Sequence, residues 1–419
     1  MTLLGAPAGA SASATTRLET CHGLPATITG TPDQVAYGTE GDDVIVTAGS
    51  PRVLALGGDD TICVTGESTS ISTVEAGAGD DLVDGTAATF WVVANLGTGT
   101  DTFLGGPQND HVDARAADVA TDTVSTAGGR DLVQVGTVGQ AYDDDVRLGP
   151  RADLIELHGP PGAGTIDLGV GRDELELYDG SGADWTIDNR HGVITADGAG
   201  TPLTGAEAFS LEQARWATLS FTGGPAADVL DVSDPYTTAE PGPVTADLGG
   251  GDDRLVVRED LTGPYRGGPG VDDLVVEGLV LESAPLAERV EVDLSTGLVH
   301  AAGNPAARAM SFSRLALSNF DRSIVRLTNG ADRLIVAGCR SVVHAGPGDD
   351  RIWLRDVDSH CDGPARSQRL RAYGESGNDR MEGAIGNDYL VGGPGRDAAF
   401  GSLGRDVCVA EKRRGCERA

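Results

Sequence analysis

Four aspartates near the C-terminal end of the sequence, Asp379, Asp388, Asp397 and Asp406, stand nine residues apart. Gly377, Gly386, Gly395 and Gly404 each precede one of them by two residues. Gly374, Gly383, Gly392 and Gly401 precede them by five. Few folds accept so strict an interval. Glycine lets a turn take positive φ, and Asp favours turns and projects a carboxylate from them. Each Asp is followed by three residues with Met381, Leu390, Ala399 or Cys408 at the centre, which suits a three-residue strand whose middle side chain points inward. Each unit is therefore half turn and half strand, and two units close one coil. Stacked coils form a solenoid, which grows along one axis without needing a single large core.

The same turn recurs upstream, ending at Asp43, Asp60, Asp81, Asp101, Asp110, Asp131, Asp153, Asp173, Asp228, Asp253, Asp272, Asp332 and Asp350. Most upstream spacings lie between that of Asp43 and Asp60 (17) and that of Asp131 and Asp153 (22). The motif is thus expected about once per coil there, with the opposite turn free. The C-terminal segment is expected to be the only place where both edges carry it. Two intervals lack the motif, Asp173 to Asp228 and Asp272 to Asp332, and they resemble each other: "WTIDNRHGVITADG" in one matches "VEVDLSTGLVHAAG" in the other. Each reads as two further coils, the alternative being a small inserted subdomain. "GAEAFSLEQARWATL" is open between a short helix and strand–turn–strand. The expected fold is all-β: an elongated parallel solenoid of stacked ~20-residue coils, on the order of 90–100 Å long. Residues 21–373 form its degenerate part, with motif-poor stretches at 177–222 and 277–326, and 374–419 its regular part with a Cys-containing cap.

Composition agrees with thin layers and many turns. Gly is 61 of 419 residues, about twice the usual share, and aromatics are 4%. The formal net charge of −33 argues against nucleic acid and anionic lipid as partners. It favours cations, although acidity also serves solubility alone. No apolar run is long enough to span a membrane. Residues 1–20, with "MTLLGAPAGASASATT", read as a signal-peptide remnant with small residues at Ala12 and Ala14, or as a disordered tail. The six cysteines contain no C-x-x-C, which disfavours zinc and redox chemistry. Disulfides suit an exported chain. Cys408 and Cys416 are close enough to staple a terminal turn, Cys339 and Cys361 lie about one coil apart, and Cys21 and Cys63 remain. Reduced, buried thiols are the alternative.

The four units from Gly374 to Val409 match G-G-x-G-x-D-x-U-x, and the chain resembles the RTX, or haemolysin-type, calcium-binding nonapeptide-repeat proteins. The resemblance implies a right-handed parallel β-roll, secretion, and Ca²⁺ held between turns stacked one coil apart. Asp379 would share an ion with the turn ending at Asp397, and Asp388 with that ending at Asp406. Carbonyls of turn residues such as Gly374, Ser376 and Gly377, and their counterparts, would complete the oxygen shell that Ca²⁺ requires. Asp43, Asp60 and Asp81 form a second candidate column. Departures are Glu375, Ala384 and Ser402 at the second motif position, and Gln108, Arg151 and Ala226 at the fourth. An Asp bonding its own turn backbone would serve without any ion.

No catalytic signature is present: no H-E-x-x-H, no G-x-S-x-G and no P-loop. The seven His residues are scattered, and the Arg residues show no clear column. The sequence therefore points to a secreted, monomeric calcium-binding repeat protein without enzymatic activity. A metal-free structural or adhesive solenoid and a polysaccharide-active solenoid are the alternatives.

Overall fold

Short strands with alternating burial stack here in parallel, each contributing one central side chain to a continuous core. The computed structural model describes residues 19–67, 71–116, 118, 120–233, 242–258, 260, 262–278, 287–301, 303–355, 361 and 368–417. Most of the expected N-terminal leader or tail lies outside these residues. The chain is an all-strand parallel β-solenoid of about 16 coils about 21 residues apart. Along one face Ile45, Ile62, Val83, Phe103, Val124, Val146 and Ile166 are successive register partners. Along the other, Val112, Val133, Ile155 and Leu175 do the same, and the column runs on to Met381 and Ala399. All of these are fully or almost fully buried, each contributing roughly 1.5–3 kcal/mol for a large aliphatic side chain. Met381, Leu390, Ala399 and Cys408 all lie inside, as the nonapeptide pattern requires.

Both motif-free intervals contain antiparallel strands, which a plain two-coil reading does not. In the first, Ala183–Asp188 pairs antiparallel with Val193–Ala196, and that strand with Ala199–Thr204. The outer members rejoin the parallel stack against Trp216–Thr222 and Thr165–Asp167. The second interval repeats the arrangement with Ala287–Asp293, Leu298–Ala301 and Ala307–Met310. These join Arg314–Arg326 and Pro264–Arg266. The opposite face steps directly from Asp173–Leu177 to Ala206–Leu211, and from Asp273–Glu277 to Arg314–Arg326. One face thus gains two strands that the other lacks, and large side chains fill the widened core: Trp185, Phe209 and Phe221 at the first site, Phe320 at the second. The ambiguous "GAEAFSLEQARWATL" is strand, turn and strand.

Disulfides join Cys21 to Cys63, Cys339 to Cys361 and Cys408 to Cys416. The last ties the final coil to the terminal strand Lys412–Arg414, which pairs with Ala398–Phe400. Among the described residues no helix is long and apolar enough to cross a membrane.

The fourth-position glycine is required by the neighbouring coil more than by its own turn. Gly58 has φ +105°, and a Cβ there would overlap the Gly41 backbone beneath it. Gly41 holds the same motif position in the first motif turn, and a Cβ there would meet nothing. Gly58→Ala is therefore expected to destabilise by at least ~2 kcal/mol, the left-handed penalty plus a backbone clash. Gly41→Ala is expected to stay within about 0.5 kcal/mol of the parent. Denaturant titration of the two variants checks the contrast.

Candidate metal site

The motif aspartates are all buried, Asp43 the most exposed of them at 7%. Their carboxylates reach from one coil to the next. Beyond the first turn of each ladder, Oδ1 of each Asp accepts a hydrogen bond from the backbone N–H of the motif Asp one coil earlier. Asp60 accepts from Asp43 (2.7 Å), Asp81 from Asp60 (2.8 Å) and Asp101 from Asp81 (2.8 Å). This ladder continues through Asp122 and Asp144. A second runs Asp110, Asp131, Asp153, Asp173 and closes on the carboxylate of Glu207. A third is Asp228, Asp253, Asp272. A fourth is Asp332, Asp350, Asp379, Asp397, closing on Glu411. The fifth joins Asp388 to Asp406. The expected stacking of Asp379 under Asp397, of Asp388 under Asp406, and of Asp43, Asp60 and Asp81 is present.

One expectation needs correction, and two features escaped the sequence reading. Asp101 and Asp110 belong to different ladders, nine residues and half a coil apart, so the C-terminal segment is not the only place with Asp on both edges. Asp122 and Asp144, which share coils with Asp131 and Asp153, were missed because their turns lack the glycines. The residue before the motif Asp was missed as well. Asp42 Oδ1 accepts from Asp59 N–H, and Asp59 from Asp80 N–H. Asn378 and Asn387 accept likewise from Arg396 and Arg405. This outer rail runs opposite to the inner one, and the recurrent Asp-Asp and Asn-Asp doublets were its signal.

The two carboxylate oxygens differ in role. In the first turn of each ladder, Oδ2 is capped by the amide of the second motif position. Asp43 accepts from Thr39 (2.7 Å), Asp110 from Gly106 (3.3 Å), Asp228 from Gly224 (2.6 Å), Asp332 from Thr328 (2.7 Å) and Asp388 from Ala384 (3.1 Å). In most following turns the second and fourth positions take positive φ, as at Gly393 and Gly395, the turns of Asp122 and Asp144 and the fourth position at Gly171 excepted, and this cap is lost. Oδ2 then lies buried without a partner among the described residues at Asp60, Asp81, Asp101, Asp131, Asp153 and Asp173. The same holds at Asp253, Asp272, Asp350, Asp379, Asp397 and Asp406. Glu375 and Ser402 adopt this left-handed turn at +69° and +71° despite their side chains. Gln108 and Ala226 replace glycine in first turns, where no earlier turn of the ladder crowds them, whereas Arg151 sits in a following turn and takes φ +105°.

Oδ2 rests over the first-position glycine. A Cβ at Gly374, Gly383, Gly392 or Gly401 would strike the carboxylate of Asp379, Asp388, Asp397 or Asp406. A Cβ at Gly377, Gly395 or Gly404 would strike a carbonyl of the preceding turn, and one at Gly386 the Gln368 carbonyl. The Ser376 carbonyl accepts from Gly348 N–H (2.8 Å), leaving one lone pair for another partner.

Burial without compensation raises the carboxyl pKa values. Desolvation is the leading cause, opposed by the ladder hydrogen bond and reinforced by neighbouring carboxylates. Asp60, Asp81 and Asp350 are pushed up to about 7, and Asp101 and Asp379 to about 6. Asp397 and Asp406 also rise. Buried, unpaired acceptor oxygens repeated coil after coil are a donor set suited to a hard cation. His22, Cys63 and Asp84 also converge, but Cys63 is consumed by its disulfide.

The family profile described as the RTX calcium-binding nonapeptide repeat matches four copies, over residues 96–133 and 373–408. No curated protein matches the chain. The first matched segment holds the half-coil step from Asp101 to Asp110, and the second holds the four C-terminal units. In these two segments the chain carries repeats of the RTX calcium-binding nonapeptide type.

Proposed function

We propose that this protein binds Ca²⁺ in the gaps between successive turns of each aspartate ladder, and that binding stiffens the solenoid outside the cell. The observation that carries this reading is the match between gaps and unpaired oxygens. First turns, with no turn of the ladder before them, cap Oδ2 themselves, while the following turns other than those of Asp122 and Asp144 leave Oδ2 buried and unsatisfied. In the C-terminal repeats Asp379, Asp397 and Asp406 would hold ions, with Asp388 completing the turn opposite Asp406. Asp60 and Asp81 would do so upstream, with Asp43 as the first turn of their column. Carbonyl oxygens of Gly374, Ser376, Gly377 and their counterparts would supply further ligands, and bound Ca²⁺ would offset the charge that burial penalises. Three disulfides support an oxidising, extracellular setting. A metal-free scaffold is the second reading, favoured by the Oδ1 ladder, which closes without an ion.

The raised pKa values give these readings a pH signature. Asp60, Asp81 and Asp350 have an ordinary value of 3.8 and a folded value of about 7. Between these limits the folded chain retains protons that the unfolded chain has shed. Stability without calcium therefore falls as pH rises through this window. Calcium displaces those protons, so its gain grows over the same range. Melting curves in chelator are expected to give a higher Tm at pH 5 than at pH 8. Added Ca²⁺ is expected to raise Tm more at pH 8; an equal shift at both values would contradict the placement of the ions beside these carboxyls.

Asn in place of Asp separates the ladder from the ion, because its Oδ1 still accepts the amide while the charge is lost. Asp397→Asn and Asp81→Asn are expected to be as stable as the parent, or more so, in chelator. Calorimetry is expected to show reduced Ca²⁺ stoichiometry for each. Unchanged stoichiometry would favour the metal-free scaffold.

A further inference from the structure

The acidic chain carries a row of arginines that the sequence spacing concealed. Arg314, Arg333, Arg351 and Arg380 are direct register partners on four consecutive coils. Arg254 lies two coils earlier, with Asp273 between it and Arg314. Strands about 4.8 Å apart place the four over roughly 14 Å. Arg333, Arg351 and Arg380 are exposed. The arginines, which show no clear column in the sequence, do form one in the fold. The legible trace was Arg directly after the motif Asp, in Asp253–Arg254, Asp332–Arg333, Asp350–Arg351 and Asp379–Arg380.

A second row runs beside the first on the same face: Ile335, Trp353, Glu382 and Phe400. The Arg333 guanidinium lies 4.9 Å from the Trp353 ring centre, and that of Arg380 lies 4.4 Å from the Phe400 ring centre. Glu382 accepts from Trp353 Nε1 (2.9 Å) and from Arg380 (3.2 Å). Asp273 faces Arg314 at 3.6 Å and Arg254 at 4.0 Å. Arg351 has an arginine on either side and no ion pair among the described residues. The row borders a cleft of about 600 Å³ that also reaches Asn378, Arg396 and the exposed Asp349, with the buried Asp332, Asp350 and Asp379 behind it. Clefts of about 230 and 530 Å³ adjoin it along the same face.

Like charges held a strand apart oppose folding; Arg314, Arg333 and Arg380 have an acidic or aromatic partner that offsets this, whereas Arg351 has none among the described residues. We propose that the row is a docking track for a linear anionic polysaccharide bearing a carboxylate on each sugar. An extended polyuronate offers charges in a line at a spacing of the same order as the strands. Each carboxylate suits the planar fork of an arginine, and the Trp353 and Phe400 rings offer surfaces to sugar C–H faces. A thin single chain meets less of the surrounding acidic surface than a nucleic acid duplex does, with Asp349 as the exposed carboxylate in the cleft itself.

The test uses the full chain at about 0.15 M salt with chelator present, which removes calcium bridging between two acidic polymers. Polygalacturonate is titrated by calorimetry and by gel retardation, with dextran as the neutral control. The parent is expected to bind polygalacturonate and not dextran. The triple variant Arg333→Ala, Arg351→Ala, Arg380→Ala is expected to bind about tenfold or more weakly, with unchanged circular dichroism. Arg351→Glu alone is expected to weaken binding several-fold, which keeps the test decisive should the triple variant misfold. No binding by the parent, or equal binding by Arg351→Glu, overturns the proposal. Tighter binding of heparin or single-stranded RNA than of polygalacturonate overturns the carboxylate assignment.

Discussion

The hydrogen bond from a backbone amide to the buried carboxylate one coil later holds this fold in register. A strand of three residues offers little ladder of its own, and the turns between strands contain amides that sheet pairing does not reach. A buried, unpaired amide would cost about as much as a lost hydrogen bond. Asp is short enough to turn inward beneath a glycine and present one oxygen to the coil before it. The outer rail of Asp and Asn side chains satisfies adjacent amides in the opposite sense. Each step between turns is therefore fixed twice.

That solution leaves a residue of charge. Oδ1 is satisfied and Oδ2 is not, because the turn that would cap Oδ2 is lost when the second and fourth positions go left-handed. The left-handed form is needed for one turn to nest on another, as the clashes expected at Gly58, Gly395 and Gly404 show. Nesting and capping are thus mutually exclusive. A ladder caps its first carboxylate and then accumulates uncompensated ones. Protonation relieves them below neutral pH, and in the proposed reading a divalent cation would do so at neutral pH. The same geometry that builds the scaffold therefore leaves the buried oxygens on which the proposed cation binding rests.

Most of the fold was legible because the period was strict. Gly at two and five residues before Asp, with an aliphatic residue two after, located nearly every coil and its inward side chain. Less legible was which edge each turn occupies: Asp101 and Asp110 look like consecutive entries in one series, and only strand pairing separates them. Asp122 and Asp144 escaped because the glycines mark the nesting of backbones, while the carboxylate ladder needs only the Asp. The arginine row escaped for another reason. Its spacings follow uneven coil lengths, with 19, 18 and 29 residues between Arg314, Arg333, Arg351 and Arg380, so only register aligns them. The antiparallel excursions were visible as similar sequences, but nothing in a two-residue period distinguishes a strand that reverses from one that coils onward.

These excursions also explain where ladders stop. The second ladder ends on Glu207, just after the strands between Ala183 and Thr204, and the next begins one coil later at Asp228 with a self-capped turn. Asn189, at the tip of the first antiparallel pair, donates to Asp228 Oδ1 (2.9 Å) and to the Ala206 carbonyl (3.0 Å). The third ladder ends at Asp272 before the second excursion, and the fourth opens at Asp332 beyond it, again self-capped by Thr328. The turns still pack across each step, as Gly205 does on Gly169 and Gly267 on Ser311, but beyond the first step the ladder closes on Glu207 rather than on an Asp. A long chain of uncompensated carboxylates is thereby divided into short runs, each with a capped first member. Repulsion along one uninterrupted column would grow with its length. The excursions limit that length, so the motif-free intervals bear on how many carboxylates a single run can hold.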